Sequence, residues 1–135
     1  GTLTYEVAAR LSGEGIGQSM CVGIGGDPFI GAGFTDIFRI LAEDDETRAV
    51  VVLGEIGGQA EEELAAFVTE TGFDKPVVGF IAGQTAPKGK RLGHAGAILE
   101  SDSGIRDKLA SMQAAGFRLC GDLTELPGLV KEVLG

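Results

Sequence analysis

The sequence contains no tryptophan, a single tyrosine, a single histidine and two cysteines among its 135 residues. A single histidine excludes a zinc site built on two histidines, and the cysteines form neither a C-x-x-C pair nor another metal-ligand spacing. Each cysteine, Cys21 and Cys120, lies in an apolar, strand-like segment, so we expect two buried, reduced thiols. No G-x-G-x-x-G, Walker A or G-x-S-x-G motif is present, and the shortage of aromatic residues disfavours a flavin site.

Positive charge is also scarce, because eleven Lys and Arg residues face twenty Asp and Glu residues, for a net charge of -9. Nucleic-acid-binding proteins generally present a basic face, so we expect no nucleic-acid partner. The apolar runs are short, and none approaches the ~20 residues that a membrane-spanning helix requires, so we expect no membrane association. The opening residues lack the basic region of a secretory signal. The expected location is therefore the cytoplasm, or the mitochondrial matrix in a eukaryote.

Glycine is the residue in excess, at 23 of 135 positions, where a share of about 7% is typical. The glycines cluster in three motifs, GIGGDP (23–28), GEIGG (54–58) and GHAGA (93–97). Glycine is used where the backbone turns sharply or another group approaches closely, so each motif marks a candidate functional loop. GIGGDP is no dinucleotide fingerprint because Pro28 interrupts it, and Asp27 is suited either to binding a ligand or to fixing a turn.

The chain alternates amphipathic helical patterns with short apolar runs. Apolar residues between 34 and 41 follow the i, i+3, i+4, i+7 spacing of a helix. The run Ala-Val-Val-Val-Leu at 49–53 is typical of a strand that is covered on both faces. We predict helices at about 3–11, 34–41, 60–68, 101–115 and 126–134, and strands at 18–24, 48–54, 76–82 and 117–120.

This alternation predicts an α/β fold, a flavodoxin-like, three-layer domain over residues 1–135 with a mostly parallel sheet. No strand precedes the first helix, so we expect the sheet to lack the strand that normally feeds it. Ligands bind beyond the carboxyl ends of the strands in such sheets. We therefore expect the loops after the first three strands to share one rim, where GIGGDP and GEIGG lie close together.

His94 and Glu55 are the residues best suited to chemistry at this rim. His94 stands between small residues in a loop, where an unprotonated imidazole is a good nucleophile towards phosphorus. Glu55 follows the second strand, where a carboxylate can hold one imidazole nitrogen and leave the other free. Taken alone, a single histidine is more often structural than catalytic, and Glu55 is equally well explained as a helix-capping residue.

Two further segments are suited to anions. Gly1, Thr2 and Leu3 begin the first helix, and the free amides of a helix start suit a phosphate, although a simple N-cap explains Thr2 as well. Lys88, Lys90 and Arg91 form a basic cluster on an acidic chain. That cluster is suited to an anion or an acidic partner, but a solvated loop is the more common role of such a run.

Together, GTLTYE, GQSMCVGIGGDP, GEIGG and KPVVGFIAGQTAPKGKRLGHAGAI make the chain resemble the carboxyl-terminal domain of succinyl-CoA synthetase α subunits. The likeness covers nearly the whole chain, and TAPKGKRLGHAGAI is its most specific part. The wider family of NDP-forming acyl-CoA ligases includes malate–CoA ligase and part of ATP-citrate lyase. The loop sequence is more similar to the succinate or malate type.

The resemblance implies an acid–thiol ligase that interconverts an acid, CoA and NTP with acyl-CoA, NDP and phosphate. In this family an acyl phosphate forms, and a histidine of the GHAGA loop then carries the phosphoryl group. The matching position here is His94, and the glutamate that orients it matches Glu55. Gly1, Thr2 and Leu3 match the start of the family's phosphate-binding helix.

The resemblance also implies partners outside this domain. A β subunit supplies an ATP-grasp domain that binds Mg²⁺ and ATP or GTP, and an amino-terminal domain of the α subunit binds CoA. The chain itself is expected to bind no metal or cofactor and to be inactive as a ligase in isolation. Two alternatives stay open: a malate–CoA ligase or ATP-citrate lyase relative, or a non-catalytic flavodoxin-like module that binds an anion or a partner.

Overall fold

The computed structural model describes residues 1–84, 94–95, 97 and 102–135, without the side chains of residues 102 and 103. The basic cluster of Lys88, Lys90 and Arg91 lies outside the described residues. None of the described helices is long and apolar enough to cross a membrane. The described elements are α1 (Thr2–Gly13), α2 (Phe34–Ala42), β1 (Val50–Glu55), α3 (Ala60–Thr71), β2 (Val77–Ala82), α4 (Asp102–Ala114), β3 (Arg118–Leu119) and α5 (Leu126–Leu134).

The three strands form an open, fully parallel sheet in the order β1-β2-β3. Val50 pairs with Val77 at the start of β1, and Glu55 pairs with Ala82 at its end. The helices α3 and α4 provide the long connections that parallel neighbours require. The carboxyl ends of β1 and β2 therefore lie side by side on one rim of the sheet.

Helices cover both faces of the sheet, which confirms the predicted three-layer α/β fold. Side chains of successive strand residues point to opposite faces, so β1 contributes to two cores. On one face, α2, α3 and α4 pack against Val50 and Val52. On the other face, α1 and α5 pack with Val78, and the half-buried side chains of Val51 and Leu53 adjoin them. The burial of β1 on both faces explains its continuous β-branched sequence.

The strand predicted at 18–24 is wrong, because this segment forms no strand and Met20, Cys21 and Val22 are exposed. A strand needs a neighbour, and among the described strands none pairs with β1 on the side away from β2. A groove of about 1220 Å³ is lined by both this edge and the 17–22 segment. An apolar pattern thus predicted a strand, but among the described residues the 18–24 backbone forms no ladder hydrogen bonds with the open edge of β1.

The two cysteines differ in burial, which corrects the expectation that both are buried. Cys120 follows β3 and is buried, whereas Cys21 lies exposed in the 18–24 segment. Burial raises the pKa of the Cys120 thiol, with smaller contributions in the same direction from the negative charges of Glu125 and Asp122. The thiolate is the reactive form, so Cys120 is protected both by low thiolate content and by lack of access.

We therefore expect iodoacetamide at about pH 8 to alkylate Cys21 in the native protein and to leave Cys120 unmodified until the protein is unfolded. Peptide mass spectrometry over a time course measures both rates. The variant C21S serves as the control and is expected to be unreactive when native. Comparable native rates at the two positions would contradict the packing of the face formed by α1 and α5.

Candidate functional site

The carboxyl end of β1 places Glu55 at the rim of the sheet. Glu55 is the last residue of the strand, and the chain then turns through Gly57 and Gly58 into α3. Both glycines have positive φ, of 82° and 61°, a region that side-chain-bearing residues rarely adopt. The GEIGG motif is therefore a strand-to-helix turn that leaves the Glu55 side chain at the open end of the sheet.

The Glu55 carboxylate binds the imidazole of His94 through a contact of 2.6 Å between Oε2 and Nδ1. An ionised carboxylate can only accept a hydrogen bond, so in the neutral imidazole Nδ1 carries the proton and Nε2 keeps its lone pair. Among the described residues, none makes a hydrogen bond to Nε2. Because the His94 side chain is 54% exposed, Nε2 can meet an incoming group. The predicted pairing of these two residues is present in the structure.

Gly26 of the GIGGDP motif packs directly against the imidazole. A Cβ placed on Gly26 would lie 2.1 Å from Nδ1 and 2.2 Å from Cγ of His94, so there is no space for a side chain between Gly26 and the ring. The motif therefore brings bare backbone against the ring, and it shares the rim with GEIGG as predicted. Asp27 is exposed and makes no hydrogen bond within the described part of the chain, so the structure assigns it no contact at this site.

Gly1, Thr2 and Leu3 lie at the start of α1 and line the same groove as Glu55 and His94. Gly1 is the N-cap residue, and the first helical hydrogen bond runs from the Tyr5 amide to the Gly1 carbonyl. The amides before Tyr5 have no acceptor within the helix, as at every helix start. The first turn carries no acidic side chain, so the positive end of the helix dipole faces the groove uncompensated.

Two buried residues that the sequence motifs did not indicate, Glu61 and Lys108, contact the backbone at the end of β1 through their side chains. Glu61 belongs to the acidic run 61–63, which is typical of the start of a helix, so the sequence did not indicate its burial. Lys108 carried a usable signal, since it lies with Ile105, Leu109 and Met112 on the apolar stripe of α4. A lysine on such a stripe is rarely buried without a partner. No group of three or more potential metal ligands occurs among the described residues.

The comparisons with known proteins agree with this architecture. Residues 1–117 match the model of a family described as CoA-ligase. The chain belongs to the CoA-ligase family. This finding confirms the resemblance that the sequence motifs indicated.

Curated relatives are about 50% identical to this chain over the residues that align. A succinate–CoA ligase [ADP-forming] subunit alpha 1 of Archaeoglobus fulgidus is 50% identical over 135 residues, which cover 99% of this chain and 46% of the relative. A subunit alpha of the same name from Staphylococcus aureus is 51% identical over 127 residues, covering 93% of this chain and 42% of the relative. The chain thus spans less than half the length of the curated relatives it matches.

Solved structures of similar fold include an ATP citrate lyase from Methanosaeta concilii in complex with (3S)-citryl-CoA. It superposes with a TM-score of 0.84 at 24% identity over 99% of this chain and 22% of that chain. An ATP citrate lyase from Methanothrix soehngenii in complex with citrate and coenzyme A gives the same values. At this identity the likeness supports the fold alone.

The contact between Gly26 and the imidazole can be tested by substitution. We expect G26A to displace the His94 ring from Glu55, because the added methyl group would overlap the ring. The hydrogen-bonded Nδ1 proton signal of His94, measured by NMR, should be lost while far-ultraviolet circular dichroism stays unchanged. G23A is the matched control, since among the described residues its Cβ would meet only the Gly1 Cα, at 3.9 Å. An intact Nδ1 signal in G26A would contradict the described position of the ring.

Proposed function

We propose that this chain is the phosphohistidine-carrying domain of an NDP-forming succinate–CoA ligase, with His94 as the residue that holds the phosphoryl group. The observation that carries the proposal is the 2.6 Å contact between Glu55 Oε2 and His94 Nδ1. It fixes the proton on Nδ1 and leaves the Nε2 lone pair free in the groove that the start of α1 also lines.

The proposed step is an in-line transfer between an acyl phosphate and His94. The Nε2 lone pair forms a bond to phosphorus as the bond from phosphorus to the carboxylate oxygen breaks, and the acid leaves with that electron pair. The ring becomes positively charged and keeps its Nδ1 proton, which the Glu55 carboxylate stabilises. The phosphoryl group then passes to NDP, and the neutral imidazole is restored. Such transfers depend chiefly on positioning and charge compensation.

The start of α1 provides charge compensation for the phosphoryl group. The free amides after Gly1, at Thr2 and Leu3, suit the oxygens of a phosphohistidine, and the helix dipole favours negative charge there. This support matters because the chain carries a net charge of -9. The shared groove of α1, Glu55 and His94 supports this assignment.

The remaining parts of the proposed reaction lie on other domains and subunits. We assign Mg²⁺ and nucleotide to a β subunit with an ATP-grasp domain, and CoA to an amino-terminal domain of the α subunit. The names of the curated relatives favour succinate as the acid and ATP as the nucleotide. This domain is then the carboxyl-terminal part of the α subunit, works in the cytoplasm or the mitochondrial matrix, and is inactive as a ligase by itself.

The proposal is tested with this domain inside its full-length α subunit, assembled with the β subunit. With γ-labelled ATP and Mg²⁺, we expect an acid-labile, base-stable phosphate on the peptide that contains His94. CoA with succinate should discharge the label, and malate and citrate serve as comparison acids. H94N should abolish labelling, and E55Q should slow it on the order of 10²- to 10⁴-fold because the ring loses its orienting carboxylate.

The outcomes separate the candidate functions. Discharge by malate or citrate in place of succinate would reassign the substrate and keep the histidine. Unlabelled protein, in a complex that assembles and binds nucleotide, would overturn the phosphohistidine role. That result would favour the non-catalytic, anion-binding or partner-binding module.

A further inference from the structure

Lys108 is a fully buried lysine on α4 whose ammonium group is directed at the end of β1. It is 2% exposed. Its Nζ donates to the Glu55 carbonyl at 3.1 Å and to the Gly57 carbonyl at 2.8 Å. It also forms an ion pair with the Glu61 carboxylate. The lysine therefore holds the backbone on both sides of residue 56, immediately after the residue that orients His94.

Glu61 is also buried, and its carboxylate binds both the Glu55 amide and Lys108. Its Oε1 accepts a hydrogen bond of 2.9 Å from the Glu55 amide, while its Oε2 accepts one from Lys108. The amide and the carbonyl of Glu55 are thus both bound by one buried ion pair. We call this pair, Lys108 with Glu61, the Glu55 clamp. The carboxylate of Glu62 lies farther off, at 3.8 Å from Lys108 Nζ, beyond hydrogen-bond distance.

Within the described part of the chain, β1 has no strand neighbour on the side away from β2, and the clamp binds the backbone there. The amides of Val50 and Ile56 donate to the β2 side, to the Pro76 and Ala82 carbonyls. The amide and carbonyl groups of successive strand residues point to alternate edges of the strand, so those of Glu55 point to the edge of β1 away from β2. Buried backbone groups there need other partners. Glu61 and Lys108 supply them, and they do so at the residue that contacts His94.

Gly54 makes room for the clamp. A Cβ on Gly54 would lie 2.5 Å from Oε1 of Glu61, so the glycine before Glu55 lets the buried carboxylate lie against the strand. The turn residue Gly57 offers its carbonyl to Lys108 from a left-handed conformation. Two glycines of the GEIGG motif therefore contribute to the clamp.

We propose that Lys108 and Glu61 are positioning residues, which fix the backbone of Glu55 so that its carboxylate meets His94 Nδ1 in one orientation. A buried ion pair is by itself weak support for stability, since well-packed apolar residues often do as well. An apolar pair, however, could not form hydrogen bonds with the amide and carbonyl of Glu55. The catalytic consequence rests on the proposed function, whereas the effect on the His94–Glu55 contact does not.

The test compares K108M with K75M as a matched control. Lys75 Nζ also donates to two backbone carbonyls, those of Leu41 and Asp44, but these lie away from the rim. In the αβ complex, we expect K108M to slow labelling of His94 by ATP about 10- to 100-fold, as is typical when the partner of an orienting ligand is lost. K75M should leave the labelling rate unchanged, and nucleotide binding should be equal in both.

A double-mutant cycle distinguishes positioning from a structural role. If Lys108 acts through Glu55, K108M should have little further effect on the labelling rate in the E55Q background. Independent, multiplicative effects of the two substitutions would overturn the proposal, as would an unchanged rate in folded K108M. Should K108M not fold, K108M/E61Q removes both buried charges together and leaves neither unpaired. The same slowing is expected from it, and an unchanged rate would overturn the proposal.

A second readout separates failure of the clamp from failure of the proposed function. The hydrogen-bonded Nδ1 proton of His94, observed by NMR in this chain, needs no phosphoryl transfer. We expect its signal to be lost or broadened in K108M and retained in K75M. If the wild-type complex accepts no phosphate, this result would still support the clamp. A signal retained in K108M would overturn it.

Discussion

The hydrogen bond between the Glu55 carboxylate and His94 Nδ1 determines the chemistry that the site can perform. It sets the tautomer of the ring, and the free Nε2 follows from that choice. Each surrounding feature then has a definable task. The sheet places Glu55 at its rim, the GEIGG turn directs the chain away from it, and Gly26 leaves space for the ring. A change to any of these would act on the proposed reaction through this one contact.

Charge is unevenly distributed over this molecule. The chain is acidic overall, with a net charge of -9. The positive end of the α1 dipole nevertheless faces the groove, and the first turn of α1 contains no acidic residue. In the proposed reaction the imidazole becomes cationic when phosphorylated, and Glu55 balances that charge. Lys108 and Glu61 neutralise each other in the interior, so they can hold the backbone without adding net charge beside the histidine.

Much of the fold and of the central pair could be predicted from the sequence. Helix α5 has the predicted bounds, and β1 and β2 lie within a residue or two of theirs, because their apolar patterns are satisfied by contacts within the chain. The segment 18–24 has an apolar pattern too, but within the described part of the chain it does not pair with the open edge of β1, and an apolar pattern does not show whether a segment pairs. The apolar stripe of α4 indicates that Lys108 is buried, but its contact with Glu61 joins α3 to α4, 47 residues apart, and no local pattern identifies that partner.

The most direct test of the central claim is the identity of the imidazole nitrogen that accepts phosphorus. The chain can be phosphorylated chemically with phosphoramidate and examined by NMR for coupling between ³¹P and each ¹⁵N-labelled ring nitrogen of His94. The geometry predicts a bond at Nε2, with Nδ1 still protonated and bound to Glu55. Phosphate on Nδ1 would contradict the account, because that nitrogen would have to leave the carboxylate on which the whole site depends.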